Sequence, residues 1–158
     1  MFYELQRKRQ ELSFDECITI LTNEKRGVLS INDPNGYPYG IPMNHFYNEE
    51  DGKIYFHCGT KGHKIDALRN DNKVSFCTYD QGYRKENEWA LNIRSVVVFG
   101  TMKIVDDINK VIDITEKLSH KFTDDDAYIS SEISENAHRT LLLVLTPQHI
   151  CGKEVNEA

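Results

Sequence analysis

One stretch near the middle of the chain, FHCGTKGHK (Phe56 to Lys64), holds most of the candidate chemistry. It lies between an aromatic-rich β pattern, Lys53–Cys58, and a helical pattern in which Ile65 and Leu68 are three apart. Backbone N–H groups at a helix start face an anion, and lysines add charge. The loop Gly59–Gly62 with His63 and Lys64 therefore reads as a phosphate cradle. The same residues also read as turn glycines beside solvated lysines, because lysines near helix starts are common; Lys61 suits solvent as well as it suits a ligand. His57 has a side chain that titrates near neutrality and is a candidate proton donor. The alternative is a histidine hydrogen-bonded across strands. Cys58 alternates with Ile54 and Phe56 and reads as a small core residue rather than a nucleophile.

These residues need a frame to hold them. Tyr37–Tyr47 reads as a strand joined to Lys53–Cys58 by an acidic turn ending in Asp51-Gly52, a hairpin signal. Pro38 and Pro42 inside the first strand imply a sheet edge or a bulge. Alternation puts Met43, His45 and Tyr47 on one face and Asn44 and Phe46 on the other. Upstream, Ser13-Phe14-Asp15-Glu16 is a capping box opening a helix that carries Phe14, Cys17, Ile18 and Leu21 on one face. A strand Val28–Asn32 follows, then the turn Asp33-Pro34-Asn35-Gly36. Downstream, Lys73–Tyr79 and Leu91–Val105 read as strands, with Gly100 a bulge or a point of close approach. Asp106–His120 reads as a helix with Ile108, Val111, Ile112, Thr115 and Leu118 on its apolar face. Asp124–Asp126 reads as loop, Ser134–Arg139 as one short helical turn, and Leu141–Thr146 as a last strand stopped by Pro147. The strands join by turns instead of alternating as βαβ, which argues for a mainly β chain with flanking helices, its antiparallel sheet of six strands closed into a barrel. Val96–Phe99 and Leu141–Leu145 are apolar at every position, so both of their faces require cover.

With 158 residues the chain suits a single domain, residues 1–158, with a polar arm over residues 1–12 and a tail over residues 154–158. A net charge of −6 argues against a general nucleic-acid binder. The four cysteines are widely spaced with no C-x-x-C pair, which fits reduced thiols better than a disulfide frame or a zinc site. No apolar leader opens the chain and no window approaches about 18 apolar residues, so a soluble, cytoplasmic protein without membrane contact is expected.

YPYGIPMN, IYFHCGTKGHKID and RSVVVFG, in that order, resemble the nitroimidazole-resistance (Nim) branch of the pyridoxamine 5′-phosphate oxidase-like proteins. The resemblance runs from Arg7 to Gly152-Lys153. It implies a Greek-key split β-barrel, a homodimer, and FMN, or alternatively FAD, at the subunit interface. It also implies a phosphate site at His63 and Lys64. That family carries a serine just before its basic pair, where this chain has Gly62, so Thr60 or the backbone becomes the substitute donor. For the flavin ring the resemblance points to Met43, Asn44, His45, Phe46, His57, Cys58 and Gly59. Arg94, Ser95 and Val96 are implied to approach the ring from the same or the other subunit, and Lys153 to lie near it. His57 is implied to lie beside a substrate pocket, where it would deliver protons during nitro reduction.

Three functions follow as expectations. The first is an FMN-dependent oxidoreductase passing electrons from NAD(P)H to a small acceptor, including nitroimidazoles or other nitro compounds. The second is a flavin-binding module or carrier without turnover. The third is a haem-binding split barrel using His45, His57 and His63. No metal site is expected. Pyridoxamine-phosphate oxidation itself is disfavoured, since that enzyme's C-terminal substrate-binding pattern is not recognised here.

Overall fold

The computed structural model describes all of residues 1–158. After a short 3-10 turn at Lys8–Gln10, the first helix, α1 (Phe14–Asn23), opens on the expected capping box. Glu16 N–H donates to Ser13 Oγ at 3.3 Å and Ser13 N–H donates to Glu16 Oε2 at 2.8 Å. The buried stripe is Cys17, Ile20 and Leu21. Phe14, expected inward, is exposed, because the stripe begins one turn after the helix start.

Seven strands follow: β1 (Arg26–Asn32), β2 (Pro38–Asn44), β3 (Phe46–Asn48), β4 (Lys53–Gly59), β5 (Lys73–Tyr79), β6 (Asn92–Val105) and β7 (Thr140–Asn156). They form one sheet in the order β2-β1-β5-β6-β7-β4-β3, with every neighbouring pair antiparallel. The expected count was six. The seventh arises because the run over residues 37–47 breaks at His45 into β2 and β3. These two pieces are consecutive in the chain yet lie on opposite edges of the sheet, which therefore curls into a half-barrel until β2 touches β4. Pro38 and Pro42 lie in β2, an edge strand that can spare ladder donors.

His45 is the corner where the strand crosses between edges. Its backbone N–H donates to Lys25 O at 3.3 Å, and its carbonyl accepts from Lys121 Nζ at 2.8 Å. The same ammonium donates to Glu24 O at 2.6 Å, tying the C-terminal ends of α1 and of the third helix to the corner.

The concave face of the sheet holds the main core, with Leu29, Ile31, Ile54, Phe56, Phe76, Val98 and Leu143 fully or almost fully buried against α1 and the second helix, α2 (His63–Asn70). A smaller core lies outside the sheet, where Val111 and Ile114 of α3 (Ile108–Ser119) cover Tyr55, Leu142 and Val144. This second cluster explains why Leu141–Leu145 is apolar throughout. Ile108 and Ile112, expected on the buried face of α3, are exposed; the stripe is Val111, Ile114 and Leu118. In Val96–Phe99 only Val96 and Val98 are buried, while Val97 is half-buried and Phe99 exposed. A fourth helix, α4 (Asp126–Asn136), and a 3-10 turn at Ala137–Arg139 replace the expected loop and single turn. Its N-cap is the Asp125 side chain, which accepts from Tyr128 N–H at 3.0 Å.

β7 does not stop at Pro147. It runs on to Asn156, paired along the whole of β6. The register slips between Phe99 and Gly100, opposite the segment Pro147–His149, and a bulge there tolerates the proline. Before the slip, Leu141, Leu143 and Leu145 face the main core; after it, Gly152 does. The extra residue thus reverses which side chains of β7 point outward. Gly100 fits the expected close approach, since a Cβ there would lie 2.1 Å from Thr146 O.

Candidate functional site

The loop between β4 and α2 is built as the sequence suggests. Gly62 is the N-cap of α2 with φ 136°, a left-handed conformation that favours glycine, and no side chain caps the helix start. Gly59 and Gly62 both face open space, since an added Cβ would meet nothing within 4 Å. Lys64 is half-buried in the first turn. Its Nζ has Met43 Sδ as hydrogen-bond partner, at 3.6 Å, and no carboxylate lies within ion-pair distance. A half-buried lysine in the first turn of a helix whose start no side chain caps is a charge arrangement suited to an anion. Thr60 and Lys61 are exposed on the same loop.

His63 is more constrained than its exposure suggests. Its Nε2 is 2.6 Å from Oδ1 of Asp33, whose side chain is almost fully buried, and its ring stacks on Tyr39 with centroids 4.5 Å apart. The carboxylate of the β1–β2 turn therefore holds the imidazole, which remains next to the cradle.

Strand alternation survives the break at His45. Met43 and Tyr47 pack with the main core, while Asn44 and Phe46 point to the other side of the sheet. Asn44 accepts from Arg26 Nε at 3.2 Å and borders a cavity of about 630 Å³ between β4, α3 and α4. His57, Cys58 and Gly59 line the same cavity. Burial and the nearby Lys64 charge push the His57 pKa down, so the ring is neutral at pH 7 and donates or accepts hydrogen bonds without carrying a proton to give away as a charged acid. Burial pushes the Cys58 thiol up, which suits its inward, core-satellite position.

Several expected contacts are placed elsewhere. His45 is fully buried, its Nε2 2.8 Å from Leu21 O and its ring beside Phe76; burial, with the Lys121 charge, lowers its pKa to about 3. It is a neutral core histidine and is closed to a flavin or an iron. With His63 held by Asp33, the three histidines of the haem reading do not converge, and no group of three metal-ligating side chains occurs in the chain. Phe46 is half-buried against the α3 core, and Val96 is fully buried in the main one, its side chain closed to a ligand. Arg94 is held by Asp80, with Nε 2.8 Å from Oδ2 and the Arg94 N–H on Oδ1 at 3.0 Å. Burial works to raise the Asp80 pKa, but these bonds and the Gly82 N–H bring it below its ordinary value. Ser95 lies opposite Lys153 across the β6–β7 ladder, on the outer face of the sheet. Lys153 is in a strand, not a frayed tail, and lines a second cavity roofed by the N-terminal arm, with Phe2 stacked on His149.

A single chain thus brings Lys64, His63, Met43, Asn44, His57, Cys58 and Gly59 together, and sets Ser95 and Lys153 on a different surface. The sequence reading missed the far wall of the first cavity, formed by Thr115, Leu118, Phe122, Tyr128, Ile129, Glu132, Ile133, Asn136 and Arg139. The Asp125 N-cap followed by Ile129 and Ile133 was the available signal for α4.

The family model described as pyridoxamine 5′-phosphate oxidase matches residues 13–154. The chain belongs to the pyridoxamine 5′-phosphate oxidase family. No curated protein matches it. Among solved structures, a conserved hypothetical protein from Mycobacterium tuberculosis superposes with a TM-score of 0.78 at 18% identity, covering 98% of this chain and 91% of that one. A candidate 5-nitroimidazole antibiotic resistance protein from Bacteroides thetaiotaomicron gives 0.74 at 19%, covering 92% and 87%. An FAD-binding protein from Mesorhizobium loti gives 0.66 at 22%, covering 92% and 97%. At these identities the likeness is one of fold, and it extends across the family's curled sheet and the helices around it. No helix is long and apolar enough to cross a membrane.

Proposed function

We propose that the chain binds a flavin, FMN by preference, and works as an oxidoreductase passing electrons from NAD(P)H to a small acceptor such as a nitro compound. The observation that carries this reading is half-buried Lys64, its ammonium without a carboxylate partner, in the first turn of α2, whose start no side chain caps. A phosphate satisfies both at once. The fold of an FAD-binding relative supports the same cofactor class, and the short, open loop around Gly59 and Gly62 suits a single phosphate.

The flavin, when bound, supplies the two-electron chemistry. Lys64, His63 and the N–H groups of the α2 start hold its phosphate. Met43, Asn44 and the backbone of His57–Gly59 border the place its ring requires. His57, neutral and open to the cavity, orients an acceptor by a hydrogen bond. The remaining expected contacts, Ser95 and Lys153, would come from a second copy. The outer sheet face supports such pairing: Pro42, Val28, Cys77, Val97 and Cys151 form one transverse row across five strands, all without charge.

The experiment is spectroscopic. The purified protein is expected to carry a yellow chromophore, released as FMN, that NAD(P)H bleaches under anaerobic conditions and a nitroimidazole restores. A colourless protein that takes up neither FMN nor FAD at micromolar levels overturns the reading. A flavin that binds and never bleaches leaves a carrier instead.

A further inference from the structure

The cavity between β4, α3 and α4 has two unlike ends. At the sheet end are Asn44 and His57, both polar, neutral and open to the cavity. At the helix end is Arg139, in the turn leading into β7. Its Nε donates to Asn136 Oδ1 at 3.0 Å, and its Nη2 reaches the same oxygen. Asn136 in turn donates from Nδ2 to Glu132 O at 3.0 Å and Glu132 Oε2 at 3.3 Å. The guanidinium is therefore fixed by a neutral amide, and no carboxylate pairs with it at 4 Å or less. The Glu132 carboxylate reaches it only through the Asn136 amide, which leaves the remaining guanidinium donors without a direct carboxylate partner.

Between these ends the wall is formed mainly by Leu118, Phe122, Tyr128, Ile129, Ile133 and Ala137, with Ser119, Thr123 and the Glu132 carboxylate also lining it. Gly59 pairs with Thr140, and His57 with Leu142, so Arg139 lies about three residues along β7 from the level of His57, about 10 Å at the usual rise per residue. That span suits one aromatic ring with a substituent at each end. The volume of about 630 Å³ is that of a small-molecule site, apolar with a few convergent polar groups.

We propose that this cavity is a binding site for a small planar aromatic carboxylate, its anionic group on the Arg139 guanidinium and its opposite, acceptor end at His57 and Asn44. The assignment of the bound molecule as the electron acceptor rests on the flavin reading above; the binding itself does not. A bidentate guanidinium–carboxylate pair supplies the selectivity for charge, and the helix walls supply the selectivity for a flat ring.

The probes are 4-nitrobenzoate and its neutral isostere 4-nitrobenzamide, titrated by calorimetry into the protein as isolated. The benzoate is expected to bind at least tenfold more tightly. Arg139→Gln should abolish that preference and leave benzamide binding unchanged. Ile133→Trp and, independently, Ser119→Trp should fill the cavity and remove binding of both probes, with circular dichroism confirming a folded protein. Equal affinity for the two probes, a preference that survives Arg139→Gln, or binding that persists in both folded tryptophan variants overturns the proposal. Chromophore content is measured on the same samples. A colourless protein that still prefers the benzoate in an Arg139-dependent manner supports this site while the flavin reading fails alone.

Discussion

Lys64 and His45 show how two basic residues separated by two strands and one helix start acquire opposite fates. Lys64 lies at a surface with no carboxylate within ion-pair reach, whereas His45 is enclosed until it cannot hold a proton. Lys64→Ala should weaken FMN binding by about 1–3 kcal/mol through a lost charge-assisted contact. It should also let the His57 ring titrate at higher pH, because one of the two causes lowering its pKa is the Lys64 charge. Fluorescence titration of FMN and NMR of the His57 ring check the two outcomes separately, and unchanged affinity removes Lys64 from the phosphate site. For His45 the sign is set by a folded pKa of about 3 lying below the ordinary 6.5. Its contribution to stability is present above pH 6.5 and is lost as pH falls toward 3, because the unfolded chain takes up a proton that the native core refuses. Between pH 7 and pH 5 the loss amounts to about 2 kcal/mol at about 1.4 kcal/mol per pH unit. His45→Gln keeps an N–H for Leu21 O and cannot ionise, so its urea midpoint should change much less over that interval. A variant with the same pH dependence as wild type would place the acid sensitivity elsewhere.

At the scale of elements, the bulge in β7 decides which residues can form the outer surface. Removing Gln148 should close the bulge while His149 stays opposite Phe99 and Pro147 opposite Gly100, so no side chain changes face but Pro147 must enter a continuous ladder. A lower urea midpoint with cooperative unfolding retained is expected by circular dichroism; a deletion variant with native stability would mean that the proline needs no bulge. Ser13→Ala removes half of a reciprocal cap and should cost about 1 kcal/mol by thermal or urea unfolding. These two cases mark what sequence could and could not reveal. The capping box, the Asp51-Gly52 turn, the Lys73–Tyr79 strand and the start of α2 are local, and each was legible from a few adjacent residues. The continuation of β7 past Pro147 was not, because a proline stops a strand unless a partner strand slips to accommodate it, and the partner lies about fifty residues away. The break at His45 was hidden for the same reason: the corner is held by Lys25, Leu21 and Lys121, none of which is near in sequence to the loop it shapes. The cradle residues are neighbours in sequence and so stand out together, whereas the far wall of the cavity depends on α4, whose amphipathic signal is weak.

For the whole molecule the open question is what covers the convex side of β1, β5, β6 and β7. In one chain the N-terminal arm covers only the β6–β7 end, through Phe2 on His149 and Phe99, and Val28, Tyr79 and Phe99 remain exposed. An apolar sheet face of this kind marks an association surface. Val97 lies at its centre, flanked in register by Cys77 and Cys151, and its side chain is only half-buried within the monomer. Val97→Glu leaves the interior of the half-barrel untouched, so the monomer should keep its helices, strands and thermal cooperativity. A pair of such chains would face two carboxylates in an apolar interface, a burial that neither charge can compensate. Sedimentation should then show wild type at twice the chain mass and Val97→Glu at the chain mass. Flavin affinity should fall with it, since the proposed contribution of Ser95 and Lys153 needs the second copy. A variant that remains dimeric would move the interface to another face, and a monomeric variant that holds flavin as tightly as wild type would confine the whole site to one chain, with Lys64 and the α2 start alone responsible for the grip.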